Sequence, residues 1–401
     1  MIKPIHPFPA RMAPELAIRA LEAISRKSVV LDPMSGSGTV LRQATQLGHT
    51  AIGIDMDPLA VLMAKVWTSP IDPDALEALA QETIQVAKKL NMCDIVLPWI
   101  DDDTETTEFI QYWFGPKQII ELRRLAFALH LLKPKRKRKA EADVLKIALS
   151  RIIITKDQGA SLARDTSHSR PHRISEDSEY EVAAAFERSY KYVRKVLSAA
   201  PPAGNATVMR GDARSLLHID NASVDMVLTS PPYLNAIDYM RGHRMALVWL
   251  GHKLSELRDI RSASIGAERG PDNKHAASLF LDIQKEMGDA AALLPRHNAM
   301  IARYSEDLYR MMSEIARVLK ADGKAVLVVG NSCLKGSFIS NSKGVAHAGA
   351  MVGLRLDDEI VRDLPDRHRY LPMPSGTEDP LGKRMRTESI LTFCSAGGPR
   401  A

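Results

Sequence analysis

Residues 29–39 read VVLDPMSGSGT, and after a stretch with helical spacing residues 51–55 read AIGID. Each segment begins as a short apolar run, typical of a buried parallel strand, and ends with an aspartate, Asp32 or Asp55. Gly36 and Gly38 allow a tight turn after the first strand, so that the backbone can approach a ligand where the helix begins. A strand, a glycine turn, a helix and a second strand in this order predict an α/β fold with a doubly wound sheet.

The residues of this turn indicate what kind of ligand it holds. Asp55, at the end of the second strand, is placed to hydrogen-bond ribose hydroxyls. The turn lacks the GxGxxG pattern and the lysine of a phosphate-binding loop, and no basic residue lies between Asp32 and Thr39 to meet a pyrophosphate. A carboxylate at Asp32 suits instead a ligand that carries an ammonium and a sulfonium.

A second motif follows another apolar run far along the chain. Residues 224–228 (VDMVL) predict a buried strand, and residues 229–233 read TSPPY. Because proline has no N–H, the carbonyls of Ser230 and Pro231 are left to accept hydrogen bonds from other groups. A hydroxyl, these carbonyls and the Tyr233 ring can grip a flat, amine-bearing ring. The alternative is a Pro-Pro loop with a tyrosine that packs in the core.

Together the two motifs resemble those of the S-adenosylmethionine-dependent DNA amino-methyltransferases, specifically the cytosine-N4 branch. In that family the catalytic tetrapeptide, which corresponds here to residues 230–233 (SPPY), commonly begins with Ser in cytosine-N4 enzymes and with Asp or Asn in adenine-N6 enzymes. The opening HPFPARM of residues 6–12 resembles the family's N-terminal cofactor-side motif, and residues 211–213 (GDA) resemble the segment along the cofactor's adenine. Residues 315–320 resemble the helix that precedes the family's fifth strand, and residues 323–329 resemble that strand.

The resemblance implies a fold, a cofactor and a set of site residues. The fold is the Rossmann-like class I methyltransferase α/β fold, with a mostly parallel seven-stranded sheet, an antiparallel last strand and mostly helical insertions. The cofactor is S-adenosyl-L-methionine. The implied catalytic residues are Ser230, Pro231, Pro232 and Tyr233. The implied cofactor-binding residues are Phe8, Pro9, Arg11, Asp32, Pro33, Met34, Ser35, Gly36, Gly38, Thr39, Asp55, Met56, Asp212 and Ala213.

The tetrapeptide also fits the chemistry of amine methylation. The exocyclic amine of cytosine is a poor nucleophile, because its lone pair is conjugated into the ring. Acceptors directed at its hydrogens, for which Ser230 and Pro231 are the candidates, would free that lone pair. Tyr233 would stack on the base and hold it, after the enzyme has flipped the base out of the duplex.

Other functions stay open at this point. Adenine-N6 methylation of DNA uses the same scaffold, and the serine at the first position of the tetrapeptide favours cytosine. Methylation of an amino group on tRNA or ribosomal RNA uses a similar tetrapeptide, usually with Asp or Asn first, and neither end of the chain carries a recognisable small RNA-binding module. A DNA-binding protein with an inactive methyltransferase fold is the non-enzymatic alternative, against which the intact glycines, acids and tetrapeptide argue.

Composition bounds the remaining possibilities. Of the 401 residues 45% are hydrophobic and 25% charged, as in ordinary globular proteins. We find no apolar leader segment and no apolar run long enough for a bilayer, and therefore expect a cytoplasmic, prokaryotic enzyme that associates with the nucleoid through DNA. Cys93, Cys333 and Cys394 are widely separated and none follows a proline, which argues against a disulfide framework, a metal cluster and cytosine-C5 methylation. We predict no metal.

Positive charge points to nucleic acid as the partner. The net charge is +6, and residues 133–139 (KPKRKRK) form a dense basic run that can neutralise phosphates. A solvated loop or a localisation signal is the alternative. We expect double-stranded DNA as the substrate, and a cognate restriction endonuclease is a candidate partner. The predicted DNA-binding residues are Lys135, Arg136, Lys137, Arg138, Arg170, Arg173 and Arg241.

The pattern along the chain predicts one catalytic domain with two insertions. Residues 1–67 and 206–401 form the predicted catalytic domain. Residues 68–205, with helical spacing over 74–90, 107–132 and 180–197, form a mostly helical insertion and a candidate DNA-recognition region. Residues 240–297 form a second insertion, in which 258–273 are predicted as loop. Residues 389–393 suit a final antiparallel strand.

Overall fold

The structure, a computed structural model, describes residues 3–8, 12–24, 26–132, 138–155, 158–164, 171–234, 238–267, 280–288, 293–334, 337–363 and 387–395. Its strands are β1 (Val29–Asp32), β2 (Thr50–Asp55), β3 (Ala163–Arg164), β4 (His172–Arg173), β5 (Ala206–Arg210), β6 (Val224–Thr229), β7 (Leu319–Gly330), β8 (Ser332–Leu334), β9 (Ser337–Ile339), β10 (Leu354–Asp363) and β11 (Thr387–Ser395). Its helices are α1 (Pro14–Glu22), α2 (Thr39–Gln46), α3 (Pro58–Thr68), α4 (Pro73–Lys89), α5 (Pro98–Asp101), α6 (Thr104–Trp113), α7 (Pro116–Leu131), α8 (Lys139–Ile153), α9 (Val182–Ala199), α10 (Met240–Leu247), α11 (Leu254–Ala263), α12 (Leu281–Met287), α13 (Pro295–Val318) and α14 (Asn341–Met351), with a 3-10 turn at Met92–Asp94.

Seven strands form the central sheet, in the order β10-β11-β7-β6-β1-β2-β5. The five strands from β7 to β5 are parallel. β11 runs antiparallel to both of its neighbours, β7 and β10. This arrangement confirms the predicted class I methyltransferase fold, and it places β11, the last strand that the structure describes, inside the sheet and not at its edge.

Helices cover both faces of the sheet. Val30 and Leu228 pack into one core with α1 and α2, whereas their neighbours Leu31 and Val227 pack into another with α13 and α14. Successive side chains of a strand point to opposite faces, so a strand that is covered on both sides needs apolar residues at nearly every position. The continuous apolar runs in the sequence have this origin.

The helices that connect β2 to β5 share a third hydrophobic core with α10 and α11. The Trp249 ring meets the Phe114 ring edge-on with 5.1 Å between centroids. The Trp99 indole donates a hydrogen bond of 2.8 Å to the Val248 carbonyl. Residues far apart in sequence, from both predicted insertions, therefore form one packed unit.

The structure corrects two local predictions. The helical pattern over 107–132 is divided between α6 and α7, because Pro116 lacks an N–H and disfavours a helical conformation at the residue before it. The predicted loop over 258–273 is helical through Ala263, since α11 buries Leu254, Leu257 and Ile260 on one face. Residues 268–273 of that prediction lie outside the described residues.

Within the ranges given above, the structure has no helix whose length and apolar content would let it cross a membrane.

Candidate functional site

The two sequence motifs meet where the strand order of the sheet reverses. From β1 the chain continues outward to β2 and β5, whereas β6 and β7 lie on the other side of β1. Open α/β sheets bind ligands outside the carboxyl ends of the strands at such a reversal. β1 ends at Asp32 and β6 at Thr229, and the Thr229 hydroxyl donates a 2.7 Å hydrogen bond to Asp32 Oδ1. The glycine turn and the TSPPY segment thus begin at the same place.

The glycine turn requires glycine at both positions predicted for it. Gly36 and Gly38 have φ values of 48° and 87°, in the left-handed region that favours glycine. A Cβ atom on Gly38 would lie 2.9 Å from the Ala64 backbone in α3, and one on Gly36 would lie 3.1 Å from the Phe8 ring. The turn is therefore packed closely on both sides as it leads into α2.

Two carboxylates hold this turn, the buried Asp32 and the half-buried Asp55. Asp32 Oδ1 also accepts the Met34 N–H at 3.2 Å, and Asp55 accepts the N–H groups of Gly36 at 2.8 Å and Asp57 at 2.9 Å. Burial raises the pKa of the Asp32 carboxyl to about 7. Burial and the nearby Asp57 charge raise the pKa of Asp55 to about 6. Carboxylates in this situation favour a cationic ligand, because a positive charge would stabilise their ionised form.

Three hydroxyls of the same turn have no protein partner among the described residues. The side chains of Ser35, Ser37 and Thr39 are buried, and their oxygens make no hydrogen bond with the residues that the structure describes. Buried polar groups without a partner are rare in native proteins, and several in one turn indicate a position where a polar ligand completes the structure. Pro33 is buried, and Met34 and Met56 are half-buried.

An aromatic group covers the turn. The Phe8 ring stacks on the Tyr239 ring with 5.1 Å between centroids and lies 5.7 Å from the His243 ring. Phe8 is held there because the preceding Ile5 is buried and its carbonyl accepts a hydrogen bond from the Arg151 guanidinium of α8. Two other predicted cofactor residues of this segment, Pro9 and Arg11, lie outside the described residues.

Asp57 joins the site to α10, in the predicted second insertion. Its carboxylate caps α3 by accepting the Leu59 N–H at 2.8 Å, and it hydrogen-bonds His243 Nδ1 of α10. Burial alone would raise the pKa of Asp57, but the His243 charge and these hydrogen bonds lower it below its ordinary value. A charged group at the start of α3 thereby fixes the position of α10.

The Ser-Pro-Pro-Tyr corner is fixed by the neighbouring strand β7 and by α13, which packs on the face of the sheet opposite α2. The Ser230 hydroxyl donates to the Val328 carbonyl of β7 at 3.1 Å, which leaves the lone pairs of its oxygen available to accept. The buried Tyr304 hydroxyl of α13 donates to the Pro232 carbonyl at 3.1 Å. Pro231 is buried, and Tyr233 is half-buried.

The predicted adenine-side segment is held by an ion pair. Asp212 accepts hydrogen bonds from the Arg214 guanidinium, the shortest of 2.7 Å, and the same guanidinium contacts Asp307 of α13 at 2.5 Å. Burial raises the pKa of Asp307, although the Arg214 charge opposes that rise. Ala213 is buried in the core. The Asp212 carboxylate thus has a structural partner within the protein.

The residues predicted to bind DNA are dispersed. Lys135, Arg136, Lys137 and Arg170 lie outside the described residues. Arg138 is exposed just before α8. Arg173 is exposed in β4 with its guanidinium 5.1 Å above the Tyr112 ring. Arg241 lies in the first turn of α10 and donates to Asp238 at 3.0 Å.

The sequence motifs did not predict four residues of the candidate site: Asp57, Tyr239, His243 and Tyr304. Asp57 precedes Pro58, and an acid before a proline is a recognised signal for a helix start. Tyr239 and His243 are four residues apart, which places both on one face of a helix. Their contact with Phe8 depends on long-range packing, for which the sequence carries no local signal.

In the described part of the chain, no group of three or more His, Cys, Asp and Glu side chains could hold a metal ion.

Comparison with known proteins adds a family match. Residues 3–66 match the family model of N6 and N4 methyltransferases described as DNA methylase. The chain is 22% identical over 264 residues to the type II methyltransferase M.BsoBI of Geobacillus stearothermophilus, covering 60% of this chain and 51% of that protein. It is 27% identical over 122 residues to the type II methyltransferase M.MvaI of Kocuria varians, covering 29% of this chain and 27% of that protein. The chain thus spans about half or less of the length of these curated relatives.

Solved structures of methyltransferases also match this chain. TTHA0409 of Thermus thermophilus, in complex with S-adenosyl-L-methionine, is 19% identical and matches with a TM-score of 0.25 over 48% of this chain and 56% of that one. A TehB-like S-adenosylmethionine-dependent methyltransferase of Corynebacterium glutamicum is 9% identical, with a TM-score of 0.31 over 96% of this chain and 89% of that one. The family match and the type II relatives support a DNA amino-methyltransferase.

Proposed function

We propose that this protein is a site-specific DNA methyltransferase that transfers the methyl group of S-adenosyl-L-methionine to the exocyclic N4 amine of a cytosine flipped out of double-stranded DNA. The observation that carries this proposal is the hydrogen bond between Thr229 and Asp32, which joins the glycine turn and the Ser-Pro-Pro-Tyr corner at one point of the sheet. A methyl donor and an acceptor base need such a shared site, since the transfer is direct.

The residues around the glycine turn fit S-adenosyl-L-methionine. Asp32 and Asp55 supply negative charge for a ligand with an ammonium and a sulfonium, and the hydroxyls of Ser35, Ser37 and Thr39 have buried oxygens that lack protein partners among the described residues. Phe8 covers the turn and gives the ligand an apolar wall. When bound, the cofactor supplies the electrophilic methyl group.

The corner residues would activate and hold the base. The Ser230 oxygen, whose hydrogen is directed at the Val328 carbonyl, and the Pro231 carbonyl would accept the amine hydrogens and free its lone pair. Tyr233 would stack on the extruded ring. Tyr304 acts through the Pro232 carbonyl and is a positioning residue.

A serine at the first position of the tetrapeptide favours cytosine. Adenine-N6 methylation is the second candidate function, since the matched family model spans both N6 and N4 enzymes. DNA is the proposed substrate, and the type II methyltransferase relatives favour a restriction-modification setting with a cognate endonuclease. We propose that the two packed insertions carry target recognition.

Mass spectrometry of nucleosides tests the proposal. The protein is incubated with S-adenosylmethionine that carries a deuterated methyl group, in separate reactions with duplex DNA and with RNA, and the nucleosides are then released. We expect deuterated N4-methylcytosine from DNA. N6-methyladenine from DNA would establish the second candidate, and label in RNA or in neither polymer would refute both.

A matched pair of serine variants assigns the activity to the corner. Ser230→Ala should lose most methyl transfer because it removes an acceptor at the amine. Ser223→Ala is the control, because Ser223 precedes the opposite end of β6 and its hydroxyl donates only to the local Asp220 carbonyl. Equal activity of the two variants would remove Ser230 from the mechanism.

A further inference from the structure

Beside the candidate site, arginine side chains gather around a single carboxylate. Arg241 of α10 and Arg261 of α11 donate to the same oxygen, Asp238 Oδ2, at 3.0 and 2.5 Å. Arg244, one helical turn after Arg241, has no ion-pair partner among the described residues. These three guanidiniums and Asp238, which we call the arginine cluster, carry a net charge of +2.

Arg244 is the member whose charge is least compensated. It is half-buried, its guanidinium lies 5.1 Å above the Phe109 ring of α6, and its buried Nε has no hydrogen-bond partner among the described residues. Burial lowers the pKa of Arg244. The nearby Arg261 and Arg241 charges lower it further, whereas the Asp238 charge raises it. A partly desolvated cation next to two others is costly unless an anion joins them.

The position of the arginine cluster indicates which anion it would meet. Tyr239 lies between Asp238 and α10, and its ring stacks on Phe8, which covers the glycine turn. The cluster therefore borders the candidate site at the junction of the two insertions. Guanidinium groups match the paired oxygens of a phosphodiester, and phosphate contacts fix the register of a protein on nucleic acid.

We infer that Arg241, Arg244 and Arg261 bind a backbone phosphate of the DNA strand that carries the target base, and that Arg244 is a positioning residue for that strand. The inference rests on the proposed function and deepens it, because it names the residues that hold the substrate backbone. Such a contact neutralises charge without reading a base, so it strengthens binding to all sequences alike.

Salt dependence of DNA binding tests the inference. Affinity for a short duplex is measured by fluorescence anisotropy over a series of salt concentrations. Arg244→Gln should weaken binding and reduce the slope of log K against log salt by up to about 0.9, the value for one whole phosphate contact, because Arg241 and Arg261 remain at the same phosphate. Arg244→Lys keeps the charge and should restore most of the slope. Arg258→Gln is the matched control, since Arg258 on α11 is exposed and paired with Glu105.

Cofactor binding, measured by calorimetry, separates a lost contact from a misfolded protein. All variants should bind S-adenosylmethionine like the unaltered protein. If Arg244→Gln fails to bind it, Arg241→Gln and Arg261→Gln carry the same test from more exposed positions. An unchanged slope in the folded variants, or the same loss in Arg258→Gln, would overturn the inference.

Two further readouts separate the possible failures. A changed slope with no methylated nucleoside would refute the proposed function and leave the phosphate site in place. Methylation with an unchanged slope would refute the phosphate site alone. If Arg244→Gln lost binding of inorganic phosphate but bound duplex normally, the site would serve a free anion, and the inferred strand contact would be wrong.

Discussion

At the scale of single residues, Asp32 connects the stability of the site to its ligand. One oxygen of the buried carboxylate accepts both the Thr229 hydroxyl and the Met34 N–H. These neutral donors do not offset burial, which raises the pKa of Asp32 to about 7. A bound cation would favour the ionised form, so ligand binding and deprotonation are coupled.

We therefore predict that affinity for S-adenosylmethionine falls as the pH is lowered through about 7 and then through about 6, where Asp32 and Asp55 take up protons. Calorimetric titrations across this range measure the effect. In Asp32→Asn the affinity should be lower by about tenfold or more, and the upper of the two steps should disappear. Affinity that is constant with pH would contradict a cation at these carboxylates.

Asp32→Asn should have the opposite effect on folding. Because the pKa of Asp32 is raised in the folded state, the folded protein holds this proton more tightly than the unfolded chain, and stability falls as the pH rises toward 7. The asparagine carbonyl can accept both hydrogen bonds that Asp32 Oδ1 accepts. We expect the variant to gain about 1–3 kcal/mol in free energy of unfolding near pH 8, and little near pH 4.

Urea denaturation at the two pH values measures this gain. Asp282→Asn is the control, because Asp282 is an exposed carboxylate on α12. A loss of stability in Asp32→Asn at the higher pH would show that the carboxylate is needed for the fold itself.

Tyr233→Ala should separate chemistry from cofactor binding. Removing the ring takes away base stacking worth about 1–3 kcal/mol, and turnover should fall by about 5- to 150-fold while affinity for S-adenosylmethionine stays unchanged. Tyr233→Phe keeps the ring and should keep most of the turnover. Methyl-transfer assays beside calorimetry measure both quantities, and normal turnover in Tyr233→Ala would exclude this stacking role.

At the scale of secondary-structure elements, Arg42 of α2 holds together the two chain segments that lead into and out of the predicted first insertion. Its side chain is fully buried in α2, and it donates to the Trp67 carbonyl near the end of α3 at 3.1 Å and to the Ala200 carbonyl just after α9. The chain enters the insertion after α3 and leaves it after α9. Cations stabilise the carboxyl ends of helices, so one guanidinium fixes both stems.

Arg42→Lys should loosen both stems, because a single ammonium cannot span the two carbonyls in the same geometry. We expect a loss of about 1–3 kcal/mol in the free energy of unfolding and faster proteolysis within residues 68–205. Urea denaturation and limited proteolysis measure these changes. Arg19→Lys on the exposed face of α1 is the control, and equal stability of both variants would rule out the clamp.

Arg42 also shows which features of the secondary-structure elements the sequence could predict and which it could not. Strand–turn–helix order follows from local patterns, so β1, β2, β6, β11 and the glycine turn were predicted close to their observed bounds. A charged residue on a helix predicts an exposed position, whereas Arg42 is buried because two distant helix ends converge on it. Hydrogen bonds between such distant residues depend on tertiary packing, and no local sequence pattern predicts them.

At the scale of the whole molecule, the two predicted insertions pack together as one unit. Trp99 and Val248, 149 residues apart, are joined by a hydrogen bond, and the Leu254 N–H donates to the Thr106 hydroxyl at 2.9 Å. Asp57 and His243 tie this unit to the start of α3. The sequence predicted the two motifs at the sheet, but not that Tyr239 and His243, at the start of the predicted second insertion, would contribute to the site.

We propose that the methyl donor and the extruded base occupy one cavity, where β1 and β6 end. A crystal structure of the protein with S-adenosylmethionine tests this claim most directly. We predict the cofactor against Gly36, Asp55 and Phe8, with its methyl group facing Ser230 and Tyr233. A cofactor bound elsewhere, or one whose methyl group faces away from the Ser-Pro-Pro-Tyr corner, would contradict the claim.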